Sequence, residues 1–133
     1  MADRLTLAVA GSRDLTDDDY SVVSEAIDWW LERCGWPEVR IIEGGCRGAD
    51  ELAKAYCRAR MVSHVQMRAD WNRWGKSAGP RRNEEMIKLA DGLVVVRFAD
   101  SRGSADVLSR AEAKGIPIVD RVLERKGARD AKV

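Results

Sequence analysis

The sequence has few of the residues from which metal centres, disulfide frameworks and membrane spans are built. It contains three cysteines and a single histidine among 133 residues. An odd number of cysteines without a C-x-x-C pair argues against a metal site and predicts a reducing, cytoplasmic location. No apolar run approaches the roughly 18 residues of a membrane span, and the N-terminus runs straight into a strand-like pattern, which argues against a signal peptide. We therefore expect neither a metal cofactor nor a membrane partner.

An excess of charge of either sign is also missing. Lys and Arg number 23 and Asp and Glu number 22, so the formal net charge is +1. A dedicated nucleic-acid-binding domain commonly has a wide basic face, so this balance argues against nucleic acid as the partner. The chain length and the ordinary proportions of charged and apolar residues are typical of one globular domain with its own core.

Standard nucleotide and hydrolase fingerprints are absent as well. The sequence has no Gly-x-x-x-x-Gly-Lys-Ser/Thr, which excludes a P-loop ATPase. The first glycine turn has one Gly instead of Gly-x-Gly-x-x-Gly, which weakens a dinucleotide dehydrogenase interpretation, and no Gly-x-Ser-x-Gly elbow occurs. Cys46 lies in a glycine-rich loop where a nucleophile could work, but no histidine lies nearby in sequence to serve as its base.

What is present is a regular alternation of strand-like and helix-like segments. The predicted strands cover residues 5–10, 39–43, 62–67, 92–96 and 116–119, and the predicted helices follow Thr16, cover 49–60 and 80–90, and follow Ser104. Short connections and right-handed crossovers then predict an α/β fold, a single Rossmann-like three-layer domain with a five-stranded, mainly parallel sheet. The preferred strand order is 3-2-1-4-5. The domain is expected over residues 1–120, with a polar tail at 121–133.

Every unusual loop follows the carboxyl end of a predicted strand. These loops are Gly11-Ser12-Arg13, Gly44-Gly45-Cys46-Arg47-Gly48, and the segments 68–79 and 98–104. In an open α/β sheet, ligands bind outside the carboxyl ends of the strands. Glycines let backbone amides approach an anion closely, arginine forks grip phosphate, and helix N-termini favour negative charge. The sequence therefore predicts a site for phosphate or another oxyanion at this edge.

The stretch 69–83 combines two tryptophans with four cations, Trp71, Trp74, Arg73, Lys76, Arg81 and Arg82. This combination suits a lid or wall that meets a flat anionic molecule, with Pro80 as the first residue of the next helix. Phosphate contacts alone look insufficient for binding at about 1 μM, so stacking of a base on one of the tryptophans is expected. The alternative is a structural loop whose tryptophans cover an edge of the core.

Together these motifs resemble the YspA-like branch of the SLOG superfamily, the Rossmann-like group that includes Smf/DprA and LOG proteins. The resemblance is carried by Gly44-Gly45-Cys46-Arg47-Gly48-Ala49-Asp50, Ala78-Gly79-Pro80-x-Arg82-Asn83, Gly11-Ser12-Arg13, Ala69-Asp70-Trp71, Gly75-Lys76, Arg102-Gly103-Ser104 and Gly115-Ile116-Pro117. It implies a Rossmannoid domain that binds, and in some relatives processes, a nucleotide-derived ligand. Relatives serve as sensors of nucleotide signals in bacterial and phage conflict systems, or as phosphoribohydrolases.

One departure from the family bears on activity. LOG-type enzymes carry Pro-Gly-Gly-x-Gly-Thr-x-x-Glu, and the Glu helps to cleave the N-glycosidic bond. In this sequence Val107 stands where that Glu would be, which excludes LOG-like hydrolysis by that residue. Asp50 or Glu84 could still serve as the acid/base, although an aspartate beside such loops equally caps a helix or holds an arginine.

The first functional hypothesis is therefore a module that binds a nucleotide-derived phosphorylated ligand without a cofactor. The alternatives are a hydrolase of an N-glycosidic or phosphoester bond and DprA-like binding of single-stranded DNA. The predicted ligand-binding residues are Gly11, Ser12, Arg13, Gly44, Gly45, Arg47, Asp50, Asp70, Trp71, Lys76, Gly79, Arg82, Asn83, Arg102, Gly103 and Ser104. Trp71 is expected to stack on the base, and Asp50 or Asn83 to contact ribose hydroxyls. The resemblance also implies a homo-oligomer, at least a dimer.

Overall fold

A computed structural model describes residues 4–125 as alternating strands and helices. The strands are β1 (Leu5–Gly11), β2 (Val39–Glu43), β3 (Ser63–Gln66), β4 (Gly92–Phe98) and β5 (Ile118–Leu123). The helices are α1 (Tyr20–Arg33), α2 (Ala49–Arg60), α3 (Trp71–Trp74), α4 (Ala78–Leu89) and α5 (Ala105–Lys114), and short 3-10 turns occupy Asp17–Asp19 and Gly75–Ser77.

All five strands form one parallel sheet in the order β3-β2-β1-β4-β5, which confirms the predicted order. Successive residues of β4 point to opposite faces of this sheet because side chains alternate along a strand. Val94 and Val96 pack into a core with α1 and α2, whereas Leu93 and Val95 pack into a second core with α4 and α5. The domain is therefore the three-layer α/β arrangement that the alternation of segments predicts.

A capping box formed by Thr16 and Asp19 begins the helical segment that follows Thr16. Thr16 Oγ1 accepts a hydrogen bond from the Asp18 amide at 3.3 Å, and Asp19 Oδ2 accepts one from the Thr16 amide at 2.9 Å. This box starts the 3-10 turn, and the α-helix proper begins one residue later, at Tyr20. Trp29 lies at the edge of the apolar stripe of α1, as expected, and the guanidinium carbon of Arg33 lies 3.5 Å from its ring centroid.

The tryptophan-rich segment differs from the predicted loop, because α3 and the following 3-10 turn make it helical. Helix α4 begins at Ala78, two residues before Pro80, so the prediction that Pro80 is the first helical residue is wrong. A proline is still tolerated there because the amides of the first turn lack intrahelical partners. Leu89, predicted to face inward, is 48% exposed, while Met86 and Ile87 form the buried stripe.

Strand β5 continues to Leu123, three residues into the segment that the sequence analysis assigns to the polar tail. The sheet continues there because Arg121, Val122 and Leu123 pair in register with residues 96–98 of β4. The rest of the predicted tail, 126–133, lies outside the described residues. Within residues 4–125, none of the helices combines the length and the apolar character that crossing a bilayer requires.

Candidate ligand-binding site

A cavity of about 420 Å³ lies at the carboxyl edge of the sheet, where the strand order reverses between β1 and β4. Ligands of doubly wound folds bind at such reversal points. The lining comes from the loops after β1, β2 and β4 and from the inner faces of three helices: Ala10, Gly11, Ser12, Arg13, Asp14, Gly44, Cys46, Asp50, Arg82, Asn83, Met86, Ser101, Gly103, Ser104 and Val107.

Ser12 anchors the loop after β1. Its amide donates to Val96 O at 3.1 Å, its Oγ accepts from the Phe98 amide at 3.0 Å, and its carbonyl accepts from the Ala49 amide at 3.1 Å. The buried serine therefore ties β1 to β4 and to the start of α2. Gly48 makes this contact possible, because a Cβ at its φ of +74° would lie 2.7 Å from Arg13 Cα.

Glu43 anchors the loop after β2, although its side chain is fully buried. Its carboxylate accepts a hydrogen bond from the Gly45 amide, and it lies 2.8 Å from His64 Nε2 and 3.0 Å from Gln66 Nε2. A buried carboxylate is tolerated when its oxygens are satisfied in this way. Sequence reasoning missed Glu43, and its only signal is an acidic residue that ends an otherwise apolar strand.

Asp50 is the second residue of α2 and is almost completely buried in the cavity wall, with 7% exposed. Its Oδ2 accepts a hydrogen bond from the Cys46 amide at 3.0 Å. Burial raises the pKa of Asp50 to about 6, and the negative charge of Glu43 adds to the rise, while the Cys46 hydrogen bond and the Arg82 charge oppose it. The carboxyl is thus poised to exchange a proton just below neutral pH.

Arg82 crosses from α4 to the loop after β2. Its Nη1 donates to Gly44 O and its Nε donates to Asn83 Oδ1 at 2.8 Å. A Cβ on Gly44 would overlap this guanidinium, so the glycine is needed for the close approach. Asn83 Nδ2 in turn donates to Asp106 Oδ2 at 3.0 Å, which fixes α4 against α5.

Ser104 lines the cavity and has a buried hydroxyl without a hydrogen-bond partner. The residue is 2% exposed and is the N-cap residue of α5, where the sequence predicts the helix to begin, but its side chain makes no capping hydrogen bond. Among the described residues, only Ser104 Oγ and Arg40 Nε are buried side-chain polar atoms without a hydrogen-bond partner. Such groups are costly unless something satisfies them.

Arg13 is an exposed cation at the same cavity. Within residues 4–125 its guanidinium makes no side-chain hydrogen bond or ion pair, which leaves its fork free. Together with the amides at the start of α5 and the hydroxyl of Ser104, this arrangement suits an oxyanion. No group of three or more His, Cys, Asp or Glu residues in the described part of the chain could hold a metal ion.

The cavity brings together nine of the predicted site residues: Gly11, Ser12, Arg13, Gly44, Asp50, Arg82, Asn83, Gly103 and Ser104. The other predicted residues do not line it: Gly45, Arg47, Asp70, Trp71, Lys76, Gly79, Arg102 and Glu84. Asp70 instead caps α3 through the Arg73 amide at 3.2 Å. Glu84 Oε1 lies 3.6 Å from Lys88 Nζ, and Glu84 Oε2 lies 3.8 Å from Arg110 Nη1. Because its carboxylate forms these ion pairs and does not line the cavity, the geometry does not support the predicted acid/base role of Glu84.

The two tryptophans of α3 lie outside the cavity. Trp71 is 50% exposed and Trp74 is 39% exposed, and neither is among the partly buried side chains that pack against the two cores. The Trp71 ring lies over Gly79, where a Cβ would be 3.3 Å from Cη2. The Trp74 ring lies beside the guanidinium carbons of Arg73 and Arg81, at 4.7 and 3.7 Å from its centroid.

Sequence reasoning missed several lining residues because their signals indicate other roles. Met86 and Val107 have the helical spacing of core residues, and both are buried, but their side chains also form cavity wall. Cys46 was considered only as a nucleophile, whereas its Sγ lies 4.0 Å from Arg82 Nη1 at the cavity. Asp14 and Ser101 carry no pattern that distinguishes them from ordinary loop residues.

Two solved structures share this fold. DNA processing protein A (DprA) from Streptococcus pneumoniae superposes with a TM-score of 0.69 at 19% identity over 88% of this chain, and this chain spans half (50%) of the DprA chain. TM1055 superposes with a TM-score of 0.63 at 16% identity, covering 86% of this chain and 72% of its own. At these identities the likeness concerns the fold alone.

Sequence comparison is more specific. Gene 61 protein of Mycobacterium phage D29 is 33% identical in an alignment of 108 residues that covers 77% of this chain and 86% of the phage protein. The sequence profile of the YspA, cpYpsA-related SLOG family matches residues 5–74, a range that contains β1, α1, β2, α2 and β3 with two of the three loops that line the cavity. The resemblance seen in the sequence is therefore confirmed, and the chain belongs to the YspA, cpYpsA-related SLOG family.

Proposed function

We propose that this cavity binds a nucleotide-derived phosphorylated ligand, with its phosphate at the N-terminus of α5. The observation that carries the proposal is the buried, unpartnered hydroxyl of Ser104, which lines the cavity together with the free fork of Arg13. A phosphate oxygen would satisfy the hydroxyl and would meet the positive end of the helix dipole. Arg82 also lines the cavity and adds a second guanidinium to it.

The cavity's size and its apolar walls support a ligand larger than inorganic phosphate. About 420 Å³ lies within the range of roughly 300–1,000 Å³ that small-molecule sites occupy. Three or four charge-assisted bonds contribute about 5–12 kcal/mol gross, and association offsets several kcal/mol of that. Met86 and Val107 offer apolar surface that a ribose or base could cover. Trp71 remains a predicted stacking residue outside the cavity, beside Gly79 at the start of α4.

Binding without turnover is the favoured function because Val107 occupies the cavity where LOG-type enzymes carry their glutamate. Val107 is 2% exposed and its side chain can neither accept nor donate a proton. The second candidate is hydrolysis of an N-glycosidic or phosphoester bond, and one observation favours it: Asp50 lines the cavity with its pKa raised to about 6 by burial. Single-stranded DNA binding is less favoured because the formal net charge is only +1.

Incubation with nucleoside mono-, di- and triphosphates and with cyclic dinucleotides tests the proposal, read by thermal shift and by chromatography of the recovered ligand. A raised melting temperature with intact ligand is the expected result. Release of free base, ribose phosphate or inorganic phosphate would instead favour the hydrolase, and no shift with any compound would contradict both.

Ser104→Ala supplies the residue-level test, with Ser109→Ala as the matched control on the exposed side of α5. Loss of one hydrogen bond to a charged phosphate should weaken binding by about 1.5–3 kcal/mol, roughly tenfold or more. The S109A variant should bind as the wild type does. Equal affinities of all three proteins would remove the α5 N-terminus from the site.

We also propose a cytoplasmic homo-oligomer. The three cysteines are free, which fits a reducing compartment. Light scattering coupled to size-exclusion chromatography tests the oligomer, and a mass of 14.8 kDa would mean a monomer.

A further inference from the structure

Arg125 is bound to two loops that line the cavity, although it is not itself a lining residue. Its Nη2 donates to Asp14 Oδ2 at 2.9 Å, and its Nε donates to Asp100 Oδ2 at 2.8 Å. Its guanidinium carbon also lies 4.5 Å from the centroid of the Phe98 ring. Because Asp14 follows β1 and Asp100 follows β4, one guanidinium joins two loops that are distant in sequence.

These two loops supply the groups that we assign to phosphate. The loop after β1 contributes Arg13, and the loop after β4 leads into Ser104. Within residues 4–125, two hydrogen bonds join the loop after β1 to β4 itself, from the Ser12 amide to Val96 O and from the Phe98 amide to Ser12 Oγ. Arg125 is therefore the contact that joins the two loops further from the sheet.

The charge of Arg125 matters as well as its position. Hydrogen bonds from Arg125 lower the pKa of Asp100, so this carboxylate stays ionised beside the loop. Asp14 lines the cavity and is ion-paired only with Arg125 among the described residues. Without the guanidinium, two uncompensated carboxylates would lie near the place where an anion must enter, and like charges repel.

We infer that Arg125 is a positioning residue of the anion site: it holds the loops after β1 and β4 at a fixed spacing and neutralises the two carboxylates beside the cavity. The inference rests on the proposed function of the cavity. It assigns a role in ligand binding to the chain that follows the last strand, outside the motifs that carry the family resemblance.

The test compares Arg125→Ala and Arg125→Lys with Arg4→Ala. Arg4 is a matched control because it is also an exposed arginine in an ion pair, with Glu38 at 3.0 Å, and it precedes β1 at the opposite edge of the sheet. The dissociation constants for inorganic phosphate and for AMP are measured by titration of amide resonances. Hydrogen exchange of the amides at 12–14 and 99–104 is measured on the ligand-free proteins.

The expected result for Arg125→Ala is faster exchange in both loops and roughly fivefold weaker binding, the order of effect that one exposed ion pair produces. The difference from the wild type should shrink in about 1 M salt, where the screening length is about 3 Å. The affinity and loop exchange of Arg125→Lys should lie between those of the wild type and Arg125→Ala, because lysine keeps the charge but cannot donate to both aspartates in the geometry of a guanidinium. Arg4→Ala should match the wild type in both measurements.

The experiment distinguishes a failure of this inference from a failure of the proposed function. If the wild type binds phosphate or AMP and Arg125→Ala binds equally well with unchanged loop exchange, this inference is overturned and the proposed function stands. If the wild type binds neither these probes nor any compound of the nucleotide panel, the proposed function fails, and this inference fails with it.

Discussion

The loop after β2 and residues 68–79 after β3 both contain glycines and arginines, yet only the first of these segments lines the cavity. The loop after β2 is anchored by Glu43, whose fully buried carboxylate meets His64 and Gln66 on the neighbouring strand. In the tryptophan-rich segment, Trp71 and Trp74 are 50% and 39% exposed. The comparison teaches that composition identifies candidate loops, whereas a buried polar anchor decides which of them is held at the cavity.

Removing the anchor should have the largest effect. Glu43→Ala leaves the His64 ring and the Gly45 amide without their buried acceptor, which should lower the free energy of unfolding by about 4 kcal/mol. The matched control is Glu38→Ala, whose partly exposed ion pair with Arg4 should contribute no more than about 1 kcal/mol. Urea denaturation measures both, and equal losses would show that Glu43 is no special anchor.

The pH dependence of the free energy of unfolding tests the burial of Asp50, which lies beside the loop after β2. Its native pKa of about 6 exceeds the ordinary 3.8, so the folded protein binds more protons than the unfolded chain between those values. The free energy of unfolding should therefore fall as pH rises from about 4 to 6, by at most about 3 kcal/mol from this group. Asp50→Asn cannot ionise, and its oxygen can still accept the Cys46 hydrogen bond, so the variant should lack that fall. Parallel pH profiles of the two proteins would contradict the assignment.

Backbone strain and crowding beside the anchored loop are tested by two glycines that share a positive φ but differ in ψ, which is −121° at Gly48 and +21° at Gly115. Gly48 has φ +74° and a Cβ there would meet Arg13, whereas Gly115 has φ +80° and open space around it. Ala at Gly115 should cost about 1 kcal/mol, because a Cβ is disfavoured in the left-handed region, and the φ and ψ of Gly48 are still less accessible to Ala. Gly48→Ala should cost about 2 kcal/mol more, because backbone atoms must move. Equal costs in urea denaturation would mean that the loops after β1 and β2 are not tightly packed together.

The predicted stacking role of the exposed Trp71 ring is tested by its removal. If its ring stacks on the base, Trp71→Ala should weaken the binding of AMP by about 1 kcal/mol and leave inorganic phosphate unaffected. Trp74→Ala is the control, since its ring already contacts Arg73 and Arg81. Equal affinity of wild type and Trp71→Ala for AMP would place helix α3 outside the ligand site.

Much of the fold follows from local patterns. The bounds of α2 at Ala49–Arg60 and the strand order 3-2-1-4-5 agree with their predictions. Helix α3 was not predicted, because a four-residue turn is too short for a periodic apolar pattern and rests on the Asp70 cap. The end of β5 was not predicted because residues 121–123 begin a largely polar and charged stretch of sequence. In the structure these residues form strand because β4 provides a hydrogen-bonded neighbour for them.

The candidate site could be predicted in part. Gly11, Ser12 and Arg13 were found because glycine and arginine directly follow a buried strand. Glu43 and Met86 were missed because the first looks like the end of a strand and the second like a core residue. Whether such a side chain anchors a loop or forms cavity wall depends on neighbours that lie far away in sequence.

By itself the sequence determined the order of the strands and the edge at which glycines and arginines collect. The reason is that parallel strands connected by right-handed helices place all their carboxyl ends, and the loops that follow them, on one side. Only the tertiary structure decided which of those loops line the cavity, that the Ser104 hydroxyl lacks a partner, and that Arg125 reaches Asp14 across 111 positions of the chain. Such contacts depend on the directions of side chains from separate elements, and no local periodicity encodes them.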